Sequence, residues 1–215
     1  MAHFLQTLKH KALPLILASM VAGSAAADTI TFEDLYAGYD MADVLDPAYA
    51  GLDWTGDLMY LTNTLILGRG MEYGTLGNIG LVAIDGNLSF SRAVAFNFNS
   101  AYITSGWNLD QNVTVQGWRG GALVYSRDLL SSYTGPNAFA FDFNNIDLVS
   151  VHGEGGIDGG SQQGTGLHLV FDNIEITEVP GDPGTNIPEP GSLLLLGLAA
   201  MLMASYRRAR HIFKR

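Results

Sequence analysis

Two phenylalanine-bearing segments constrain this chain more than any other feature. They are Ala93–Asn99 (AVAFNFN) and Ala138–Asn144 (AFAFDFN). At a period of two, Val94, Phe96 and Phe98 fall on one face and asparagines on the other; Phe139, Phe141 and Phe143 repeat the pattern. A helix would scatter these rings around its axis, whereas a strand with one dry face collects them. Similar short runs occur at Thr29–Leu35, with Ile30 and Phe32, and at Asn112–Trp118, where Val113 and Val115 oppose Thr114 and Gln116. Gly121–Arg127 follows a turn at Arg119-Gly120, and Gly166–Val179 reads as a long final strand. Leu58–Leu67 fits either a strand or a short helix. Gly, Asn, Asp and Ser separate the runs, and the 26 glycines show no three-residue period, so they mark turns and bulges. The expected fold is all-β: an antiparallel β-sandwich or jelly roll over residues 28–178, one domain with one core.

Charge narrows the partners. The chain of 215 residues carries a formal charge of −10, but residues 28–187 hold 20 acidic side chains against Arg69, Arg92, Arg119 and Arg127, with no lysine. A body at −16 repels nucleic acid and anionic lipid headgroups, so neither is an expected partner, and it accommodates divalent cations. With no cysteine, disulfides and thiolate metal sites are excluded.

Both ends read as addresses. Residues 1–27 combine a basic stretch at Lys9–Lys11, ten apolar residues from Ala12 to Val21, and a small-x-small site at Ala25 and Ala27. That order predicts a secretory signal peptide, cut by signal peptidase so that Asp28 begins the mature body. At the other end, residues 179–187 form a Pro/Gly linker. Residues 188–215 follow with Pro188-Glu189-Pro190, an apolar run from Leu193 to Ala204, and a tail holding Arg207, Arg208, Arg210, Lys214 and Arg215. Twelve apolar residues cover about 18 Å as a helix, a short transmembrane segment whose basic tail stays cytoplasmic.

This three-part end resembles the PEP-CTERM sorting signal. Pro188-Glu189-Pro190 corresponds to the Pro-Glu-Pro motif, Leu193–Ala204 to the short membrane segment and Arg207–Arg210 to the arginine cluster. The resemblance implies recognition by an exosortase, a membrane cysteine protease-transpeptidase of Gram-negative bacteria that make extracellular polysaccharide. Processing near Pro188–Pro190 would release or transfer a transiently membrane-anchored body to the cell surface or beyond. The tail runs five residues past Arg210, a mild departure from the pattern.

Several body segments also resemble the domain common among PEP-CTERM proteins: Ile30–Leu35, Tyr49–Trp54, Ser100–Ile103, Val113–Gly117 and Leu169–Ile174. That domain looks like the galactose-binding-like sandwiches of carbohydrate-binding modules. Such modules often hold one structural calcium ion between the first and last strands, which here nominates Glu33, Asp34 and Asp172. Hard carboxylate oxygens with backbone carbonyls are what Ca²⁺ requires. Trp107 and Trp118, beside turn residues and amide side chains, are the candidates for stacking on sugar rings. Trp107 has Asn108, Asp110 and Gln111 nearby; Trp118 has Gln116 and Arg119.

Catalysis has little support. His152 and His168 belong to no HExxH pattern, no serine occupies a G-x-S-x-G elbow, and His152–Gly166 lacks the lysine of a phosphate loop and reads as a mobile surface loop. The expected function is therefore non-enzymatic: an exported matrix or cell-surface protein associating with exopolysaccharide or matrix proteins. A secreted glycan hydrolase and a purely structural or adhesive protein are the alternatives.

Overall fold

The computed structural model describes residues 27–35, 42–68, 75–160 and 165–179. The signal peptide up to Ala26, most of the linker and the sorting segment lie outside them. The elements are strands β1 (Ala27–Ile30), β2 (Ala42–Val44) and β3 (Asp53–Thr62), helix α1 (Asn63–Gly68), then β4 (Ile79–Ser105), β5 (Asn108–Leu109), β6 (Gln111–Arg119), β7 (Ala122–Ser131), β8 (Asn137–Glu154), β9 (Ile157–Asp158) and β10 (Leu169–Glu178). The Leu58–Leu67 run becomes both of its alternatives, the end of β3 followed by α1.

β4 and β8 organise the sandwich because each changes neighbours midway. The first part of β4 pairs with β3, from Thr62↔Ile79 to Asp53↔Ser91, and β3 carries β2 at the edge. Asn87–Ser91 also pairs with Leu148–His152 of β8, which pairs in turn with β6, and β6 with β7. Past residues 92–95 the register breaks, and Phe96–Ile103 pairs with Asn137–Ile146 of β8 on one side and with β10 on the other. Along β10 the partner numbers in β4 fall as its own rise, from Leu169↔Ser105 to Glu178↔Phe96, so this pair runs antiparallel. β1 closes the edge against β10. One layer is thus β2-β3-β4-β8-β6-β7 and the other β1-β10-β4-β8, joined where β4 and β8 cross between them and where Leu169–Phe171 of β10 pairs with both Leu81–Ala83 and Ile103–Ser105 of β4. The residues around the crossing include left-handed Asp142 (φ 53°) and Asn145 (φ 57°), conformations that bulge a strand and bend it.

The core lies between the layers. Phe90, before the crossing, meets Phe98, after it, edge to face at 5.6 Å, and Phe98 stacks on Phe141 at 4.5 Å. Tyr125 of β7 lies flat on Phe143 of β8 at 4.9 Å. Gly117 permits that stack, because a Cβ there would approach Phe143 Cδ2 to 2.9 Å. The alternation predicted for Phe96, Phe98, Phe141 and Phe143 therefore delivers all four rings to one buried cluster. The β6–β7 turn falls one residue later than Arg119-Gly120: Gly120 (φ 55°) and Gly121 (φ 78°) form a two-residue connection that a β-carbon would strain.

Two expectations are corrected. β4 begins at Ile79, far before Ala93, because Asp85-Gly86 interrupts the apolar run without ending the strand. His152–Gly166 is not one loop: His152–Glu154 completes β8, and Ile157-Asp158 pairs with Asn108-Leu109 once Gly155 and Gly156 supply positive φ.

Candidate functional site

The outward face of the six-stranded layer gathers the most ligand-like chemistry. The alternation that sends Val113 and Val115 inward sends Asn112, Thr114, Gln116 and Trp118 outward. Register then sets the neighbours. Trp118 lies opposite Leu148, Gln116 opposite Ser150, Thr114 opposite His152 and Asn112 opposite Glu154. On the far side of β8, Ser91, Ser89 and Asn87 continue the same rows, followed by Asp53 and Thr55 of β3.

Side-chain bonds across strands fix these groups on one face. Trp118 Nε1 donates to Ser150 Oγ at 3.0 Å, Thr114 Oγ1 donates to Asp128 Oδ1 at 2.8 Å, and His152 Nδ1 lies 2.6 Å from Asn87 Oδ1. His152 Nε2 is 3.8 Å from Glu154 Oε2. The result is a twisted platform of hydroxyls and amides with one half-buried indole at its end. Such a surface can stack on the apolar face of a sugar ring while exchanging hydrogen bonds with its hydroxyls. Sequence reasoning named Trp118 and noted Gln116; it missed Ser89, Ser150 and Thr114 as their companions, because nothing local says which strands lie beside β6.

Trp107 occupies a different environment from the one expected. It is 5% exposed and packs with Leu61, Val82 and Val170 in a smaller apolar cluster, its ring edge-to-face with His168 at 5.7 Å. Buried on both faces, it offers no stacking platform; an indole following a strand end is drawn inward when the adjoining strands leave an apolar gap. Burial also holds the His168 imidazole below its ordinary pKa, against the opposing influence of Asp57 and Asp85. Neither Trp107 Nε1 nor His168 Nδ1 has a hydrogen-bond partner among the described residues.

The three carboxylates nominated for calcium lie at one corner but point to different partners. Glu33 Oε1 accepts from the backbone N–H groups of Asn78 (2.6 Å) and Ile79 (3.1 Å), and Oε2 accepts from Asn78 Nδ2. Asp172 is buried; its Oδ2 accepts from Leu76 N and its Oδ1 from Asn173 N. Both therefore anchor the segment 76–79. Asp34 turns away and accepts from the Tyr49 hydroxyl at 2.5 Å. Burial, with Asp34 beside it, raises the Tyr49 phenol well above its ordinary range. Burial likewise raises the Asp172 carboxyl, its backbone hydrogen bonds oppose the shift, and the nearby Glu33 charge adds to it. Among the described residues, no three acidic or histidine side chains converge as a metal-holding group. Asp28, the expected first mature residue, pairs with Ile176 in β1 and borders a cleft of about 530 Å³ with Glu33, Asp34, Tyr49 and Arg92.

One likeness to known proteins lies outside this body. Residues 186–210 match the PEP-CTERM protein-sorting motif, so the three-part end read from the sequence is confirmed as a motif. The class follows: an exported, exosortase-sorted protein, transiently membrane-anchored and then at the cell surface or extracellular. No curated protein matches the chain. Among solved structures, a DUF4465 family protein from Bacteroides caccae aligns over 72% of this chain and 100% of its own at 12% identity, with a TM-score of 0.46. The CBM51 of a Clostridium perfringens GH95 protein, solved with methyl-galactose, aligns over 70% of this chain and 100% of its own at 11% identity and a TM-score of 0.33. No helix among the described residues is long and apolar enough to cross a membrane.

Proposed function

We propose that the body, once sorted outward, is a non-catalytic module that associates with extracellular polysaccharide through the outer face of β4, β8 and β6. The carrying observation is the register that brings Gln116, Ser150 and Ser89 into one row of the outer face with half-buried Trp118 beside it. Hydroxyl and amide side chains exchange hydrogen bonds with sugar hydroxyls at little desolvation cost, and an indole supplies the apolar contact. The acidic body favours a neutral or cation-bridged glycan over a polyanionic one.

Isothermal titration of the recombinant body (residues 28–179) against the exopolysaccharide of the producing organism tests this. Saturable binding that Trp118→Ala abolishes supports the reading; no binding by the intact body overturns it. Release of reducing sugar from that polysaccharide would favour the hydrolase reading instead.

Exosortase processing near Pro188–Pro190 is part of the same proposal, as is a calcium ion at the Glu33–Asp172 corner. Mass spectrometry of the mature protein reads the first: a C-terminus intact through Arg215 rejects it. A melting curve with and without EDTA reads the second. A fall in Tm supports a structural ion, and an unchanged Tm leaves the corner to its N–H donors.

A further inference from the structure

The chain contains two Asn-x-Ser/Thr tripeptides, Asn87-Leu88-Ser89 and Asn112-Val113-Thr114, and each is preceded at the same distance by an aspartate, giving Asp85-Gly86-Asn87-Leu88-Ser89 and Asp110-Gln111-Asn112-Val113-Thr114. They lie far apart in the chain but together in the fold. Asn87 pairs with His152 from one side of β8, and Asn112 pairs with Glu154 from the other. At strand spacings of about 4.8 Å and rises of about 3.4 Å, the two Cα atoms lie within roughly 12 Å of each other. Each aspartate sits at or beside a backbone bend, with Asp110 itself left-handed (φ 49°) and Gly86 following Asp85 at φ 77°. Asn112 is exposed, and its side chain faces solvent near Gly155.

We infer that Asn87 and Asn112 are acceptor sites for N-linked glycosylation of the exported chain, the donor being a sugar chain carried on a polyprenyl diphosphate. The tripeptide is the acceptor pattern for this modification in exported proteins. The shared aspartate puts a negative charge two residues before each asparagine, which a basic acceptor groove on the transferase would attract, so that the recognised stretch would be five residues long. In the transfer, the carboxamide Nδ2 bonds to the sugar's C1 as the C1–O bond to phosphate breaks. The polyprenyl diphosphate leaves with the electron pair, and Nδ2 gives up one proton. Asn87 is engaged in the folded body, its Nδ2 donating to the Asp85 carbonyl at 3.1 Å and its Oδ1 meeting His152. Transfer to Asn87 therefore precedes closure of β4 against β8, and occupancy at Asn112 exceeds that at Asn87. Both glycans would stand at one end of the outer face; Trp118, six residues along β6 from Asn112, is about 20 Å away. The inference rests on export and is independent of non-covalent polysaccharide binding at Trp118.

The test is glycopeptide mass spectrometry of the full-length gene product, purified from the envelope and medium of the producing organism. Trypsin separates the two sites cleanly, cutting after Arg69, Arg92 and Arg119, so Asn87 falls in residues 70–92 and Asn112 in 93–119. The expected result is a common added sugar mass on both peptides, lost from one in Asn87→Gln and from the other in Asn112→Gln. Asp110→Asn keeps Asn112-Val113-Thr114 intact and is expected to remove the mass from 93–119 alone, a result that misfolding would not produce. Both peptides unmodified in exported protein, or a sugar mass that survives both Asn→Gln changes, overturns the inference. Titration of unglycosylated recombinant body against polysaccharide reports on the Trp118 reading separately, so either idea can fail while the other stands.

Discussion

Trp118 of β6 and Ser150 of β8 are joined diagonally across the two strands, the indole Nε1 donating to the serine hydroxyl at 3.0 Å. That bond holds the ring against the sheet with its outer face available. We expect Trp118→Ala to abolish polysaccharide binding in the titration while lowering stability by only about 1–2 kcal/mol, since the ring is half-buried. Ser150→Ala frees the indole N–H for a ligand hydroxyl and should leave affinity equal or higher. A Ser150→Ala loss as deep as that of Trp118→Ala would mean that the ring needs its tether.

Phe98 sits where the crossing of β4 brings both layers together, 2% exposed and in contact with Phe90, Phe141 and Phe143. Phe98→Ala should cost about 3–5 kcal/mol. Against a typical total of about 5–15 kcal/mol, that brings a large drop in the urea midpoint with little change in slope. A midpoint within error of the parent would show that the layers are not packed through this ring.

Glu33 and Gly77 are coupled. A Cβ at Gly77 would drive into the Glu33 carboxylate that anchors Asn78 and Ile79. Gly77→Ala should therefore destabilise the body, and Glu33→Ala should do so by about 1–2 kcal/mol through the lost N–H bonds. The double variant should lose less than the two singles together, because the collision is gone once the carboxylate is removed. Strict additivity in this cycle would reject the contact.

Acid should act on Asp172 and His168 in opposite senses. The Asp172 pKa is raised in the folded state, chiefly by burial, so the native form binds more protons between the ordinary carboxylate value and the raised one. Its contribution to stability rises as pH falls through that window. The His168 pKa is lowered by burial, so the unfolded chain binds more protons below the ordinary imidazole value, and stability is lost as pH falls through about 6.5. In melting curves from pH 7.5 to 5, His168→Phe should lose less Tm than the parent. On acidification toward the ordinary carboxylate value, Asp172→Asn should lack the parent's acid-side gain. Parallel curves for parent and variants would contradict both assignments.

The readable parts of this protein are those whose physics is local. Alternation at period two places phenylalanines on the dry side of a strand whatever the neighbouring strands are, so Phe96, Phe98, Phe141 and Phe143 were legible as core. The sorting motif is a contiguous string, and its match over residues 186–210 needs no fold at all. Register across strands is not local. It decided that Trp118 shares an outer row with Leu148 and Ser91 while Trp107 is sealed beneath His168. It brought Glu33 onto the backbone of residues 78 and 79, Glu33 and Asn78 being 45 positions apart in the chain, in place of gathering it with Asp34 and Asp172 around one point. It also set Asn87 and Asn112 on either side of β8. A chain of apolar alternation specifies which face of each strand is dry; only the packed sheets specify which wet faces meet, because that depends on crossings and bulges whose free energy is shared among distant segments.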